Sequence, residues 1–292
     1  MVEEKIIELY PSDLIQSPVH LSIGQEAVAV GVCAHLRRED WVFINYRGHA
    51  FYLAKGGPLP EFFAELMGKR AGISKGKAGS MHLAAPAHGI IGASAVVAST
   101  ISHAVGAALA AKIKGEKERI FIANFGDGAT EQGVFHESLN FAALHKVPVL
   151  FLCEDNGLAV HTSLKERQAY QMSSLVGAYE IPYYNLDEGY DLESVYALAG
   201  EVIARVRHDQ APAFLRIQTA RYREHVGPGE DFSAGYRSEQ EISAWKARDP
   251  LCQSSSEMNK YRAEIESEIE SALHFATEAP LPTFEDLLTD VL

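Results

Sequence analysis

Two short apolar runs on either side of a helix-like segment constrain this chain more than any other feature. Residues Arg119 to Phe125 (RIFIANF) and Val147 to Cys153 (VPVLFLC) look like buried strands, and Glu131 to Lys146 between them looks like an amphipathic helix. Together they read as a βαβ unit. A third apolar run, Ala213 to Gln218 (AFLRIQ), follows a helical stretch from Asp191 to Arg207, so strands and helices alternate through the middle of the chain. The fold class is therefore α/β, a parallel sheet with covering helices. Residues 226–236 (VGPGEDFSAGY) carry the glycines, proline and acidic pair of a loop; beyond them Ser238 to Lys246 and much of the charged tail look helical. We expect an α/β domain over residues 1–236 and a helical C-terminal extension over 237–292 packed on the same unit. The run Ser254-Ser255-Ser256 is too short to act as a linker between domains.

Composition removes several function classes. At 292 residues and 47% hydrophobic content the chain can bury a substantial core, and a formal net charge of -13 argues against nucleic acid, which needs a clustered basic surface. Three cysteines without a CxxC pair make a disulfide framework or a thiolate zinc site a poor fit. The start, Met1 to Lys5, places acidic residues where a signal peptide has basic ones, so a cytoplasmic location is expected. The small and apolar stretch from Ser94 to Ala111 contains His103 and several hydroxyl residues, which makes it a helix-packing segment rather than a membrane span.

Gly126-Asp127-Gly128 follows directly on the first strand of the unit and Asn156 on the second. A right-handed parallel connection brings both strand ends to one edge of the sheet, where ligands of open α/β sheets bind. A carboxylate and an amide oxygen converging there suit magnesium, which takes one or two protein oxygens and completes its octahedron with phosphate oxygens and water. Glycines beside Asp127 admit an anion to the backbone, and the following helix offers its N-terminus. Each motif alone is also good turn chemistry. A dinucleotide-binding reading is weaker still, because Glu131 stands where the fingerprint's third glycine belongs.

The motifs do not stand alone. His20-Leu21-Ser22-Ile23-Gly24-Gln25-Glu26-Ala27, Tyr46-Arg47-Gly48-His49, Lys75-Gly76-Lys77-Ala78-Gly79-Ser80-Met81-His82, the Gly126 to Asn156 pair and Trp245-Lys246-Ala247-Arg248-Asp249-Pro250 occur in this order. In that order the chain resembles, nearly end to end, the alpha subunits of pyruvate, branched-chain 2-oxo acid and acetoin dehydrogenases. The resemblance implies the thiamine diphosphate-binding fold, helices on both faces of the sheet, and thiamine diphosphate with Mg2+ as cofactors. It further implies that Asp127, Asn156 and the carbonyl of Leu158 bind the metal, and that Gly128 and Ala129 contact the diphosphate. Tyr46, Arg47, His225 and Arg221 match residues on the diphosphate side, Ala95 and Val97 match backbone positions holding the aminopyrimidine ring, and His225 and His20 are the catalytic candidates. His35, His136, His145, His208 and His274 read as structural or surface residues, with His82 and His103 undecided.

Departures from the family pattern limit what the resemblance carries. Asp155 replaces a usual second asparagine, Leu158 a tyrosine, and Val226 a serine phosphorylated in some relatives, which excludes kinase control at that position. No glutamate stands in a motif matching the one that contacts the aminopyrimidine. The family takes it from a separate beta subunit, implying a tetramer of two alpha and two beta chains. The resemblance points to a 2-oxo acid decarboxylating dehydrogenase passing its acyl unit to a lipoyl acyltransferase. The unusual 225–231 loop keeps a carboligase or ketol-transfer enzyme with an aldehyde acceptor open, and a non-catalytic scaffold is disfavoured by the joint presence of Asp127, Asn156, Arg47 and His225.

Overall fold

The computed structural model describes residues 1–253 and 256–289; Ser254 and Ser255 of the serine run lie outside them. The strands are β1 Trp41–Asn45, β2 Ile90–Ser94, β3 Phe121–Gly126, β4 Val149–Asp155, β5 Leu158–Ala159, β6 Thr162–Ser163, β7 Tyr183–Leu186 and β8 Ala213–Gln218. The helices are α1 Val2–Leu9, α2 Glu26–Cys33, α3 His49–Ala54, α4 Leu59–Leu66, α5 Ser99–Ile113, α6 Gly133–His145, α7 Leu164–Arg167, α8 Met172–Gly177, α9 Leu192–Asp209, α10 Glu239–Lys246, α11 Ser256–Glu278 and α12 Phe284–Leu287.

Among the described residues the main sheet has six parallel strands in the order β2-β1-β3-β4-β8-β7, and β5 and β6 form a small antiparallel ribbon. The α/β class with a parallel sheet is borne out. Side chains alternate across each strand, and both faces are buried. Phe121, Ala123, Phe125, Val149, Phe151 and Cys153 face α5 and α6, whereas Ile122, Leu150, Leu152, Leu215 and Ile217 face the core shared with α2, α4 and α9. Near-continuous apolar strands such as FIANF and VLFLC follow directly from that double burial.

Local signals position the covering helices. The α9 helix starts at Asp191, whose side chain accepts the Glu193 N–H at 3.2 Å, and buries Val195, Ala199, Val202 and Val206 at helical spacing. Ser238 and Glu241 form a reciprocal capping box at the start of α10. In α11, Ile265, Ile269, Ala272, Leu273 and Ala276 make one apolar stripe packed against the core that includes α4. The segment from Ser94 onward divides differently from expectation. Ser94 ends β2, Ala98 takes a left-handed backbone (φ 66°), and the helix begins only at Ser99. The small residues Ala104, Ala108 and Ala111 then let α5 sit close on the sheet.

Phe135 of α6 is fully buried edge-on to Phe125 and Phe214, at ring separations of 5.7 and 6.2 Å. Phe135→Ala is expected to cost about 3–5 kcal/mol, the range for emptying an aromatic site in a close-packed core. Urea denaturation checks this, and a loss below about 1 kcal/mol would show that the helix–sheet core does not depend on it.

Candidate functional site

Chain order places one cavity at the sheet's carboxyl edge. β1 leads leftward to β2 and β3 leads rightward to β4, so the strand order reverses between β1 and β3. A crevice at such a reversal is the usual ligand position in open α/β sheets. A cavity of about 230 Å³ opens there, and its walls come from the residues just past β1, β2, β3 and β4. In the register of the βαβ pair Gly126 lies opposite Glu154, so Asp127 and Asn156 leave neighbouring strands in the same direction. Both line the cavity, together with Leu158.

Most of the expected residues meet here, and three do not: His20, Ala95 and Arg221, of which His20 is buried behind the wall with its ring against those of Tyr46 and His225. Tyr46, Arg47, Val97, Gly128, Ala129 and His225 all line the same cavity. A Cβ on Gly128 would lie 2.8 Å from that of Ala159, so only glycine lets the two loops close. Ala95 lies half-buried between two lining residues, Ser94 and Val96, without lining the cavity itself. Arg221 does not line it either. Its buried guanidinium donates to the carbonyls of Val160 and Arg223, to Asp231 and to Tyr236, which binds it into the 225–236 loop. Its own chain thus occupies the donors that a phosphate would need. His82 and His103 are exposed and do not line the cavity. The helix expected from Glu131 starts at Gly133, because Asp127–Glu131 forms a separate 3₁₀ turn ended by extended Gln132.

Asp127 is buried and divided between two environments. Its Oδ2 is paired with Arg167, which also holds Glu131. Its Oδ1 is buried with no hydrogen-bond partner. Burial, and next the charge of Asp155, push its carboxyl up to about 6 against the pull of Arg167. Asp155 is itself held by Arg216, whose Nε donates at 2.6 Å. On the opposite wall Arg47 Nη1 donates to the Leu21 carbonyl at 2.8 Å and Nη2 to that of His225 at 3.1 Å. Burial and then Arg221 draw Arg47 down to about 10, so it stays charged at neutral pH. The rings of His20 and His225 lie 5.1 Å apart beside Tyr46. Burial first, then Arg47, lower them to about 3 and about 4, leaving both neutral at physiological pH, with His20 Nδ1 unpartnered.

The model for the dehydrogenase E1 component family matches residues 1–285. The chain belongs to that family. Across 99% of its length it is 35% identical to the alpha subunit of acetoin:2,6-dichlorophenolindophenol oxidoreductase of Bacillus subtilis (strain 168), spanning 89% of that protein. It is 36% identical to the pyruvate dehydrogenase E1 component subunit alpha of Rhizobium meliloti (strain 1021), over 99% of this chain and 86% of that one. The corresponding subunit of Zymomonas mobilis subsp. mobilis is 37% identical over 99% of this chain and 84% of its own. Membership in the alpha-subunit class, read from the motifs, is borne out. The names of these relatives give no support to the aldehyde-acceptor alternative.

Several residues in and around this cavity carry no role in the sequence reading. Arg167 lies far along the chain from Asp127 and follows no motif that would announce it. Glu154, Asn124 and Asn45 left a weak signal, since each is a polar residue in or beside an otherwise apolar strand. Gln25 stood inside a quoted motif without an assigned task. Its neighbour Glu26 has its carboxyl raised to about 7, chiefly by burial. A raised folded-state value contributes stability that is present below the ordinary carboxylate range and lost as pH rises through about 7. Glu26→Gln is therefore expected to match the parent at pH 5 and to exceed it at pH 8 by at most about 3 kcal/mol. Melting curves at the two pH values test this, and equal stability at pH 8 would contradict it.

Proposed function

We propose that this chain is the alpha subunit of a thiamine diphosphate- and magnesium-dependent 2-oxo acid decarboxylating dehydrogenase that hands its acyl unit to a lipoyl acceptor. The observation that carries the metal assignment is the buried, unpartnered Asp127 Oδ1 in a cavity shared with Asn156 and Leu158. A buried carboxylate oxygen without a partner is costly, and a cation satisfies it. One carboxylate, one amide oxygen and a backbone carbonyl are an all-oxygen set suited to Mg2+. Among the described residues no cluster of three or more His, Cys, Asp or Glu offers a rival site.

The remaining wall fits a diphosphate. Gly128 and Ala129 offer backbone at close approach, and the charged Arg47, with Tyr46 and His225 beside it, faces the same space. Thiamine diphosphate, when bound, supplies the electron sink for loss of carbon dioxide. The protein's part is to hold it and to manage protons nearby. His20, neutral and with its buried Nδ1 unpartnered, stands behind His225 on the cavity wall, and Arg47 nearby opposes a lasting positive charge on either ring.

The state of the cavity's own glutamates supports a second subunit. The two glutamates lining it are both committed: Glu131 to Arg167 and Gln168, and Glu154 to Asn124 and Gln25. Neither is free to meet an incoming ring nitrogen, which supports a glutamate donated by a beta chain in a two-plus-two assembly. Val96 and Val160 on the cavity wall are 68% and 47% exposed, an apolar rim suited to a protein partner. A lipoyl acyltransferase would then take the acyl unit. A cytoplasmic location is part of the same proposal, supported by the buried, unpaired Cys33 and Cys153.

Co-expression with a beta-type subunit, followed by assay of a panel of 2-oxo acids with an artificial electron acceptor, a lipoyl domain or aldehydes, tests the reading. Oxidative decarboxylation that needs both chains is expected. Asp127→Ala should weaken thiamine diphosphate retention by more than about 100-fold, beyond the usual loss from altering a metal's outer shell. Full activity from the single chain, or unchanged cofactor affinity in the variant, would overturn it.

A further inference from the structure

One line of side chains, buried at its centre and half-buried at Asn45 and Asn156, crosses the sheet's carboxyl edge and connects the two halves of the cavity. At one end the Leu158 N–H donates to Asn156 Oδ1 at 3.2 Å. Asn156 Nδ2 donates to Gln25 Oε1 at 3.2 Å, and Gln25 Nε2 donates to Glu154 Oε1 at 3.3 Å. From the other end the Arg47 N–H donates to Asn45 Oδ1 at 2.7 Å, Asn45 Nδ2 to Asn124 Oδ1 at 2.9 Å, and Asn124 Nδ2 to Glu154 Oε2 at 2.7 Å. Gln25, Asn124 and Glu154 are all buried.

The chain has a fixed direction. Each end is a backbone N–H, which can only donate, so every side-chain amide must accept from the outside and donate towards the middle. The middle member must then accept on both sides. A carboxylate does so with its two oxygens, whereas an amide offers one oxygen and one NH2 group and fails on one side. Glu154 is the one member of the line with that capacity. Reversing any single amide would set two N–H donors against each other in a buried site, at a cost of about 1–3 kcal/mol.

We propose that Glu154, acting through Gln25, is a positioning residue that fixes the amide of Asn156 with Oδ1 towards the cation and, through Asn124 and Asn45, fixes the loop bearing Tyr46 and Arg47. The Leu158 N–H uses one lone pair of Asn156 Oδ1, and the second remains for the metal. This inference rests on the magnesium reading above and adds to it the device that orients its amide ligand. Sequence separation hides the device, because its members come from four segments around residues 25, 45, 124 and 155.

Titration of the native assembly with Mg2+ at saturating thiamine diphosphate, at pH 8, tests the proposal by calorimetry. Glu154→Gln keeps size and shape but leaves one mismatched contact, and is expected to weaken Mg2+ about tenfold, the usual effect of altering a supporting shell. Moving the carboxylate along the line should restore the direction. In Gln25→Glu/Glu154→Gln the amide introduced at 154 donates to the new carboxylate and accepts from Asn124; in Asn124→Asp/Glu154→Gln it accepts from Gln25 and donates to the new carboxylate. Both doubles are expected within about threefold of the parent, a recovery that loss of packing alone could not give. Melting temperatures show which variants fold, and Gln25→Met, which cuts only the Asn156 branch, should repeat the loss if Glu154→Gln does not fold. Unchanged Mg2+ affinity in Glu154→Gln or Gln25→Met, or doubles no better than the single variant, would overturn the proposal. Unchanged affinity in Asp127→Ala would instead overturn the metal site itself.

Discussion

The parallel pairing of β3 with β4 is the constraint on which the rest depends. Six residue pairs in continuous register fix the two strand ends side by side, and chain direction sends Asp127 and Asn156 out of the same edge. Helix α6, the crossover between them, buries Phe135 and Leu139 on the sheet and cannot shift without opening that face. The geometry of the site is thus inherited from the packing of a core whose residues have no chemistry of their own.

Charge in the cavity is managed by pairing. Asp127 shares Arg167 with Glu131, Asp155 is matched by Arg216, and Glu154 has Arg47 nearby while accepting from two amides. Burial nevertheless holds Asp127 above the usual carboxylate range and Glu154 at about 7. A divalent cation beside them would reverse that tendency, since an adjacent positive charge favours the ionised forms. The non-glycine left-handed residues Ala98 and Val160 both line the same cavity. Such backbone persists where surrounding contacts over-determine it, as the Val160 carbonyl's bond from Arg221 does here.

Legibility in the sequence followed burial. The doubly covered strands β3, β4 and β8 were read within about two residues, because a short continuous apolar run between turn residues fits little except a strand covered on both faces. The edge strands β2 and β7 went unread: IIGAS and YYNL are only partly buried and lack either a continuous run or clean alternation. β1 was also missed, although WVFIN is largely buried, being too short beside Arg37 to Asp40 to stand out. At the site, residues in contiguous motifs were found. Those that act by meeting across the fold were not, since the pairing of Arg167 with Asp127 or of Gln25 with Glu154 exists only after the sheet has formed. Arg221 shows the converse, a motif residue whose terminal donors the fold spends on the Val160 carbonyl and on its own loop.

The most direct test of the metal site is crystallographic. Crystals of the assembled protein grown with Mn2+ in place of Mg2+ and with thiamine diphosphate would reveal the metal by its anomalous scattering. The expected result is one peak at about 2.0–2.3 Å from Asp127 Oδ1 and from Asn156 Oδ1, with the Leu158 carbonyl in the same shell and diphosphate oxygens completing it. A metal held away from Asn156, or a diphosphate bound with Asp127 Oδ1 still unpartnered, would contradict it.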